Sequence, residues 1–276
     1  MSRFFLGCLV VLFGLAGSAM AAEPVIPYFR DRAAQAGAKP DLTGRRVVRF
    51  LTSTDYPPFQ FLGTDGAPAG FNVDLARDLC AELALSCTVQ ALPWDQLKPA
   101  LDSRRADALI AGLRPSVEAR EKLGLTRPYF RLPARFAAKK GSTLAATPES
   151  LKGKKVAVVE GSAHEAYLTR FFPGVKTLPQ KSLVDAEAQL KQGLADAVFG
   201  DGVALSYWLA SGGKDDCCAF IGGPFTESRY FGEGLAIAVR PDDTQLRIAL
   251  DYALDELENR GTLADLYLRW FPIGLY

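Results

Sequence analysis

Residues 49–75 read RFLTSTDYPPFQFLGTDGAPAGFNVDL. They continue an apolar run, Val47 to Leu51, that predicts a buried β-strand. Two prolines follow, and because proline fixes φ, Tyr56 and Phe59 are expected on a stiff, non-helical turn. After Gly70, amide and carboxylate side chains predict the first turn of a helix. This order of strand, rigid loop and helix is typical of an open α/β sheet, which binds ligands at the carboxyl ends of its strands.

The same stretch resembles the opening of the periplasmic solute-binding proteins that capture polar amino acids for ABC importers. Those proteins begin with a strand, a Tyr-x-Pro-Phe turn and a Gly-Phe-Asp-x-Asp-Leu-Ala helix start. The separation of the two motifs is kept here, although Asn72 stands where aspartate is usual. The resemblance covers about Val47 to Pro272. It implies an α/β, two-lobe type II periplasmic binding fold, in which each lobe is a mostly parallel sheet flanked by helices and two crossover segments form the hinge.

Composition is that of a soluble globular protein. Charged residues make up 23% and apolar residues 49% of the 276 residues. The net charge of +1 gives no sign of a nucleic-acid or anionic-membrane partner. The chain has one histidine, His164, which disfavours a histidine-based metal site, and no pattern indicates a cofactor.

Residues 1–22 have the pattern of a cleavable signal peptide. Arg3 precedes an apolar run, residues 4–16, that is too short to span about 30 Å of hydrocarbon, and small residues follow it. We therefore expect export to the periplasm. Residues 23–46 form an N-terminal extension rich in proline, expected to be either a strap over the first lobe or a mobile tail.

Four cysteines remain after the predicted cleavage. Cys80 and Cys87 are close in sequence, which in an oxidising compartment favours a local disulfide, and the resembling proteins have a disulfide at this place. Cys217 and Cys218 are adjacent, and a vicinal disulfide and two free thiols both remain open. The Cys-x-x-Cys pattern of a redox enzyme is absent.

A short internal similarity predicts two related lobes. Residues 195–200 echo residues 106–112, and each segment follows a helix and ends in small residues. Two ordinary βα units would explain this similarity, but two lobes that present strand ends to a shared cleft explain it better. We place the first lobe at 47–138 plus 230–276 and the second at 139–229, joined by a hinge.

A small zwitterion enclosed away from water needs partners for both of its charges and walls for its side chain. Tyr56 and Trp94 are candidate walls, because the resemblance places aromatic or aliphatic residues over the ligand at these positions. Phe59 is expected to belong to the core instead.

The carboxylate-binding segment departs from the family pattern, in which hydroxyl residues precede an arginine that clamps the carboxylate. Ala111 and Gly112 replace the hydroxyl residues, and the usual arginine position is Ala119. Two arginines could supply the missing cation: Arg120, which is next in sequence, and Arg114, which occupies a position that is usually serine or threonine. The departures also leave room for a larger or more acidic solute, with Arg114 binding a second carboxylate.

The second lobe contributes two candidate residues. Ser162 follows a predicted strand and opens a helix, whose free N–H groups suit an anion. Asp201 follows the strand that ends at Gly200, and by resemblance it would bind the ammonium group of the ligand.

The preferred function is therefore non-catalytic. A monomer would capture an amino acid or related carboxylate in its cleft and deliver it to an inner-membrane ABC permease. The alternative is a periplasmic enzyme on the same scaffold, resembling cyclohexadienyl dehydratase. Glu165 would then act as general acid, together with His164.

Overall fold

The computed structural model describes residues 40–211, 217–271 and 273–276. The predicted signal peptide and residues 23–39 of the predicted extension lie outside the described residues. Residues 40–46 pack on the first lobe, where Arg45 donates to both carboxylate oxygens of Asp243 at 3.0 and 2.8 Å and Leu42 contacts the core. Within the described ranges, no helix has the length and apolar character needed to cross a membrane.

The first lobe is built on a five-stranded sheet. Its strands are β1 (Val47–Thr52), β5 (Ser86–Ala91), β6 (Ala108–Leu113), β7 (Gly124–Leu125) and β13 (Ala236–Val239). A small sheet beside it contains β2 (Asp55–Tyr56), β3 (Gln60–Leu62) and β4 (Pro68–Ala69). The helices are α1 (Phe71–Glu82), α2 (Trp94–Asp102), α3 (Val117–Lys122), α9 (Thr244–Asn259) and α10 (Thr262–Trp270).

The second lobe has a sheet of its own. Its strands are β8 (Ala134–Lys139), β9 (Lys155–Val159), β10 (Lys176–Gln180), β11 (Ala197–Asp201) and β12 (Cys218–Phe225). Its helices are α4 (Pro148–Leu151), α5 (Ala163–Phe171), α6 (Leu183–Lys191), α7 (Gly202–Ala210) and α8 (Ser228–Phe231).

The two sheets share one topology. The orders are β5-β1-β6-β13-β7 and β10-β9-β11-β8-β12. Four of five strands in each sheet run in the same direction, because only β13 and β8 are antiparallel to their neighbours. The predicted two-lobe α/β fold is confirmed. Strands β6 and β11, which carry the internal similarity, occupy equivalent places in the two sheets.

The predicted lobe boundary requires a correction. Strand β8 pairs with β11 and β12 of the second sheet, from Ala134 onwards. A boundary between 138 and 139 would cut this strand, so the first lobe ends before Ala134. The predicted boundary between 229 and 230 would likewise cut helix α8, whose Phe231 lies in the core of the second lobe. Sequence alone does not tell which sheet the strand 134–139 joins, and only the pairing assigns it to the second.

The two crossover segments pair with each other. Tyr129 N–H donates to Leu235 O at 2.8 Å, and Leu235 N–H donates to Phe130 O at 2.7 Å. Gly234 has φ +120°, and a Cβ atom there would lie 2.3 Å from Phe130 O. Only glycine fits this close approach of two chains. The two segments of the hinge are therefore joined by an isolated β-bridge.

The aromatic loop and helix α1 form one unit. Carbonyl groups of Pro58 and Phe59 accept from the N–H groups of Phe71 and Asn72 at 2.9 and 2.8 Å. The helix start is thus capped by loop carbonyls, and Gly70 gives no side-chain cap. Asn72 lies in the first turn of α1, as expected, and is fully buried. Phe59 lies in the core, as expected, with no exposed surface.

Candidate ligand-binding site

Four side chains meet where the two sheets present the carboxyl ends of their parallel strands. Tyr56 follows β1, Arg114 follows β6, His164 follows β9, and Asp201 ends β11. Tyr56 and His164 each interact electrostatically with both Arg114 and Asp201. Two residues from each lobe therefore surround one space. This is the edge at which open α/β sheets bind ligands.

Tyr56 is held against the backbone of the neighbouring strand. A Cβ atom at Gly112, where φ is +72°, would lie 2.7 Å from Cδ1 of the Tyr56 ring. Glycine at this position lets the ring lie close against the end of β6. Burial and Asp201 raise the pKa of Tyr56, and the smaller effect of Arg114 opposes this rise, so the phenol stays protonated at neutral pH.

The two candidate arginines have different surroundings. Arg114 is exposed and makes no ion pair with any described residue, so its charge faces Tyr56, His164 and Asp201. The guanidinium of Arg120 instead pairs with Glu233 at 2.5 Å, and both side chains are about half exposed. Helix α3, which carries Arg120, buries none of its residues. The geometry favours Arg114 as the cation of the cleft.

Asp201 stands at the junction of β11 and α7. Its Oδ1 accepts from the N–H of Ala204 at 3.0 Å, so the carboxylate caps this helix. The side chain is only partly exposed. Capping fixes the direction of the carboxylate and leaves Oδ2 free of hydrogen bonds to the part of the chain that the structure describes. An ammonium group fits this arrangement, because an ionised carboxylate is purely an acceptor.

The start of α5 forms a second fixed element of the site. Ser162 Oγ accepts from Glu165 N–H at 3.2 Å and donates to Val159 O at 2.7 Å. Glu165 Oε2 accepts from the N–H of Gly161, the residue before the N-cap, at 2.8 Å, which is a variant of the capping box. The side chains of Ser162 and Glu165 are thus engaged in holding the turn. The N–H groups of Ala163 and His164 have no acceptor within the helix, and they remain available to a ligand.

His164 belongs to the site, although sequence reasoning considered it only as an assistant to Glu165. Its ring contacts Phe199 and Phe231 with centroid distances of 5.7 and 5.2 Å. Burial lowers the pKa of His164, Asp201 opposes this effect, and Arg114 adds to it. The imidazole is therefore neutral at pH 7. Its place two residues after Ser162, in the first turn of α5, was the available signal.

Trp94 and the cysteines complete the sequence predictions. Trp94 is the first residue of α2, at the same edge of the first sheet, and 53% of its surface is exposed. Cys80 and Cys87 form a disulfide, which confirms the prediction. For Cys217 and Cys218, the sequence left a vicinal disulfide and two free thiols open. The structure has the vicinal disulfide, with Cα atoms 3.7 Å apart.

Comparisons with known proteins agree with this architecture. Residues 48–273 match the model of the bacterial extracellular solute-binding proteins, family 3. The chain is 35% identical over 236 residues to the putative ABC transporter arginine-binding protein 2 of Escherichia coli (strain K12), covering 86% of this chain and 95% of that protein. It is 33% identical over 239 residues to the L-arginine-binding protein of Pseudomonas aeruginosa, covering 86% and 92%.

A solved structure gives the same result. An ancestral cationic amino acid solute-binding protein superposes with a TM-score of 0.61 at 28% identity, covering 82% of this chain and 95% of that one. The family model spans well over half of the chain. The chain therefore belongs to family 3 of the bacterial extracellular solute-binding proteins.

Proposed function

We propose that this member of the family is a periplasmic receptor. It encloses an amino acid between its two lobes and delivers it to an inner-membrane ABC permease. One observation carries the proposal: Arg114 and Asp201, of opposite charge and from different lobes, face the same Tyr56 and His164. A free amino acid carries a carboxylate and an ammonium group on adjacent atoms. It would satisfy both residues at once.

Each site residue then has a role. Arg114 binds the carboxylate, supported by the free N–H groups at the start of α5, which Ser162 holds in place. Asp201 accepts from the ammonium group. Tyr56 forms one wall, and Gly112 allows its ring to lie close to the strand. To Trp94, at the start of α2, we assign the second wall.

The hinge supports a trapping mechanism. The crossover segments touch through the Phe130–Leu235 bridge, so rotation about this pair can move the lobes together without breaking either sheet. Closure excludes water, which strengthens the interaction of the ligand charges with Arg114 and Asp201. We infer that the monomer is the functional unit, since each chain contains both halves of the cleft.

The proposal is a binding protein without catalytic activity. A general acid at Glu165 would need a carboxyl group free to face the solute. Its carboxylate instead accepts from the Gly161 N–H and stabilises the turn. The periplasmic location is proposed from the predicted signal peptide together with the Cys80–Cys87 disulfide, since disulfides persist in oxidising compartments.

The relatives of this chain indicate which class of solute to test first. The related proteins named above are arginine-binding, so polar amino acids are the first candidates. A thermal-shift screen with arginine, lysine, histidine, glutamine, glutamate, small dicarboxylates and prephenate tests this class. A ligand at about 100 times its Kd adds roughly 2.7 kcal/mol to the free energy of unfolding. A shift with at least one amino acid supports the proposal. Turnover of prephenate, or shifts with non-amino-acid solutes alone, would contradict it.

A further inference from the structure

A buried chain of hydrogen bonds runs from the first crossover segment to the aromatic loop of the first lobe. We call it the relay. Its members, in order, are Tyr129, Asn72, Gln60, Ser53 and Asp55. We propose that the relay sets the position of the aromatic loop relative to the hinge, so that Tyr129 and Asn72 are positioning residues for solute binding. The inference rests on the proposed function for its affinity test.

The first half of the relay starts at Tyr129, in the first crossover segment. The Tyr129 hydroxyl donates to Asn72 Oδ1 at 2.8 Å, and Asn72 Nδ2 donates to Gln60 Oε1 at 2.6 Å. Tyr129 is 6% exposed, and Asn72 and Gln60 are fully buried. Tyr129 also bonds to the second crossover through its N–H, so this half begins at the hinge.

The second half ends at the mouth of the cleft. Gln60 Nε2 donates to Ser53 Oγ at 3.3 Å, and Ser53 Oγ donates to Asp55 Oδ1 at 2.6 Å. Ser53 is 2% exposed, whereas Asp55 reaches solvent. Asp55 and Tyr56 together form the short strand β2, which pairs with β3 at Gln60. The relay therefore ends at the residue next to the aromatic wall.

All side-chain donors of the relay point the same way, towards the Asp55 carboxylate. Asn72 makes this possible, because an amide can accept from Tyr129 and donate to Gln60, whereas an ionised aspartate can only accept. A chain of aligned hydrogen bonds that ends on a carboxylate is strengthened by that charge. This gives a physical reason for asparagine at a position where the family usually has aspartate.

The relay is continuous. Removal of one side chain therefore leaves a buried polar atom of the neighbouring side chain without its hydrogen-bond partner. Tyr129→Phe removes the first hydroxyl, and Ser53→Ala removes the last. These two side chains are joined only through Asn72 and Gln60. If the relay acts as one unit, either substitution alone displaces the aromatic loop, and the second adds little to the change in solute Kd. If the bonds act separately, the two changes in Kd multiply, as they do for distant independent sites.

A double-mutant cycle on the solute Kd tests this. We expect each single substitution to weaken binding about tenfold, the order of one buried hydrogen bond. We expect the double variant to remain near tenfold, whereas independent sites would give about a hundredfold. Tyr267→Phe is the matched control, because its buried hydroxyl accepts from Leu275 N–H outside the relay. It should change Kd less than twofold, and Ser53→Thr should restore binding.

A second readout needs no solute. Amide hydrogen exchange should speed up at residues 53–56 in Tyr129→Phe and at residue 129, whose N–H donates to Leu235 O, in Ser53→Ala, at the end of the relay opposite to each substitution. Should Tyr129→Phe fail to fold, Asn72→Asp, whose ionised carboxylate cannot donate to Gln60, replaces it in the cycle with Ser53→Ala.

Two results would contradict the proposal. One is that the two substitutions change Kd multiplicatively, and the other is that hydrogen exchange becomes faster only near the substituted residue. If the wild type binds no amino acid, the proposed function fails. The exchange experiment alone then decides for or against the relay.

Discussion

Replacing Gly112 by alanine should disturb Tyr56 directly. The new Cβ atom would stand 2.7 and 3.0 Å from two carbons of the Tyr56 ring. Ordinary carbon contacts begin near 3.5 Å, so the ring must retreat by about 0.8 Å. The backbone also holds φ at +72°, which costs an alanine about 1 kcal/mol. Overpacking adds about 1–3 kcal/mol.

Gly153→Ala separates these two costs. Gly153 has φ +74°, and a Cβ atom there meets nothing within 4 Å, so this variant has the backbone strain alone. Urea denaturation should show a loss of stability about 1–3 kcal/mol larger for Gly112→Ala than for Gly153→Ala. Calorimetric titration with the amino acid identified by the screen should show about tenfold weaker binding for Gly112→Ala and unchanged binding for Gly153→Ala.

A double variant makes the prediction specific to Tyr56. In a Tyr56→Ala background the steric conflict is gone, so Gly112→Ala should cost only the backbone strain and no further affinity. Equal stability losses for Gly112→Ala and Gly153→Ala, together with an unchanged Kd, would refute the placement of the Tyr56 ring over the end of β6.

Three further predictions concern the hinge, a buried carboxyl group and the local disulfide. Gly234→Ala should reduce stability by more than about 3 kcal/mol in a denaturant titration, because its Cβ atom would collide with Phe130 O; a loss near 1 kcal/mol would contradict the close crossing. Burial raises the pKa of Glu187 from 4.5 to about 7, so the folded protein keeps a proton that the unfolded chain has released, and stability falls as pH rises through this window. Glu187→Gln should therefore add about 2 kcal/mol at pH 8 and nothing at pH 4 in parallel urea titrations, and an equal effect at both pH values would contradict the shift. Cys80→Ser with Cys87→Ser should cost about 2–3 kcal/mol, measured by thermal unfolding, with little effect on solute affinity; a large affinity loss would place this disulfide in the binding site.

Local patterns predicted much of the fold. The aromatic turn, the helix after Gly70 and the internal similarity between residues 106–112 and 195–200 all depend on neighbours in sequence, and each has its expected place in the structure. The strand 134–139 was harder to assign. A buried strand has the same pattern in either sheet, and only the partners of β8 decide between them.

The candidate site shows the same limit. Sequence reasoning left Arg114 and Arg120 as alternatives, because both lie near the expected position. The choice depends on Glu233, which is 113 residues away from Arg120 in sequence and pairs with it. Asn72 was expected only in the first turn of a helix. Its partner Tyr129 is 57 residues away, so no local pattern could show that Asn72 accepts a hydrogen bond from a buried hydroxyl.

The central claim is that Arg114 and Asp201 together bind the two charges of an amino acid. Calorimetric titration of the mature wild-type protein, Arg114→Ala, Asp201→Asn and Arg120→Ala with the amino acid selected by the screen tests it most directly. The account predicts at least hundredfold weaker binding for the first two variants, since each leaves a ligand charge unpaired in the cleft, about 3 kcal/mol. Arg120→Ala should bind like the wild type. Binding that survives the loss of Arg114 and is abolished by the loss of Arg120 would contradict the account.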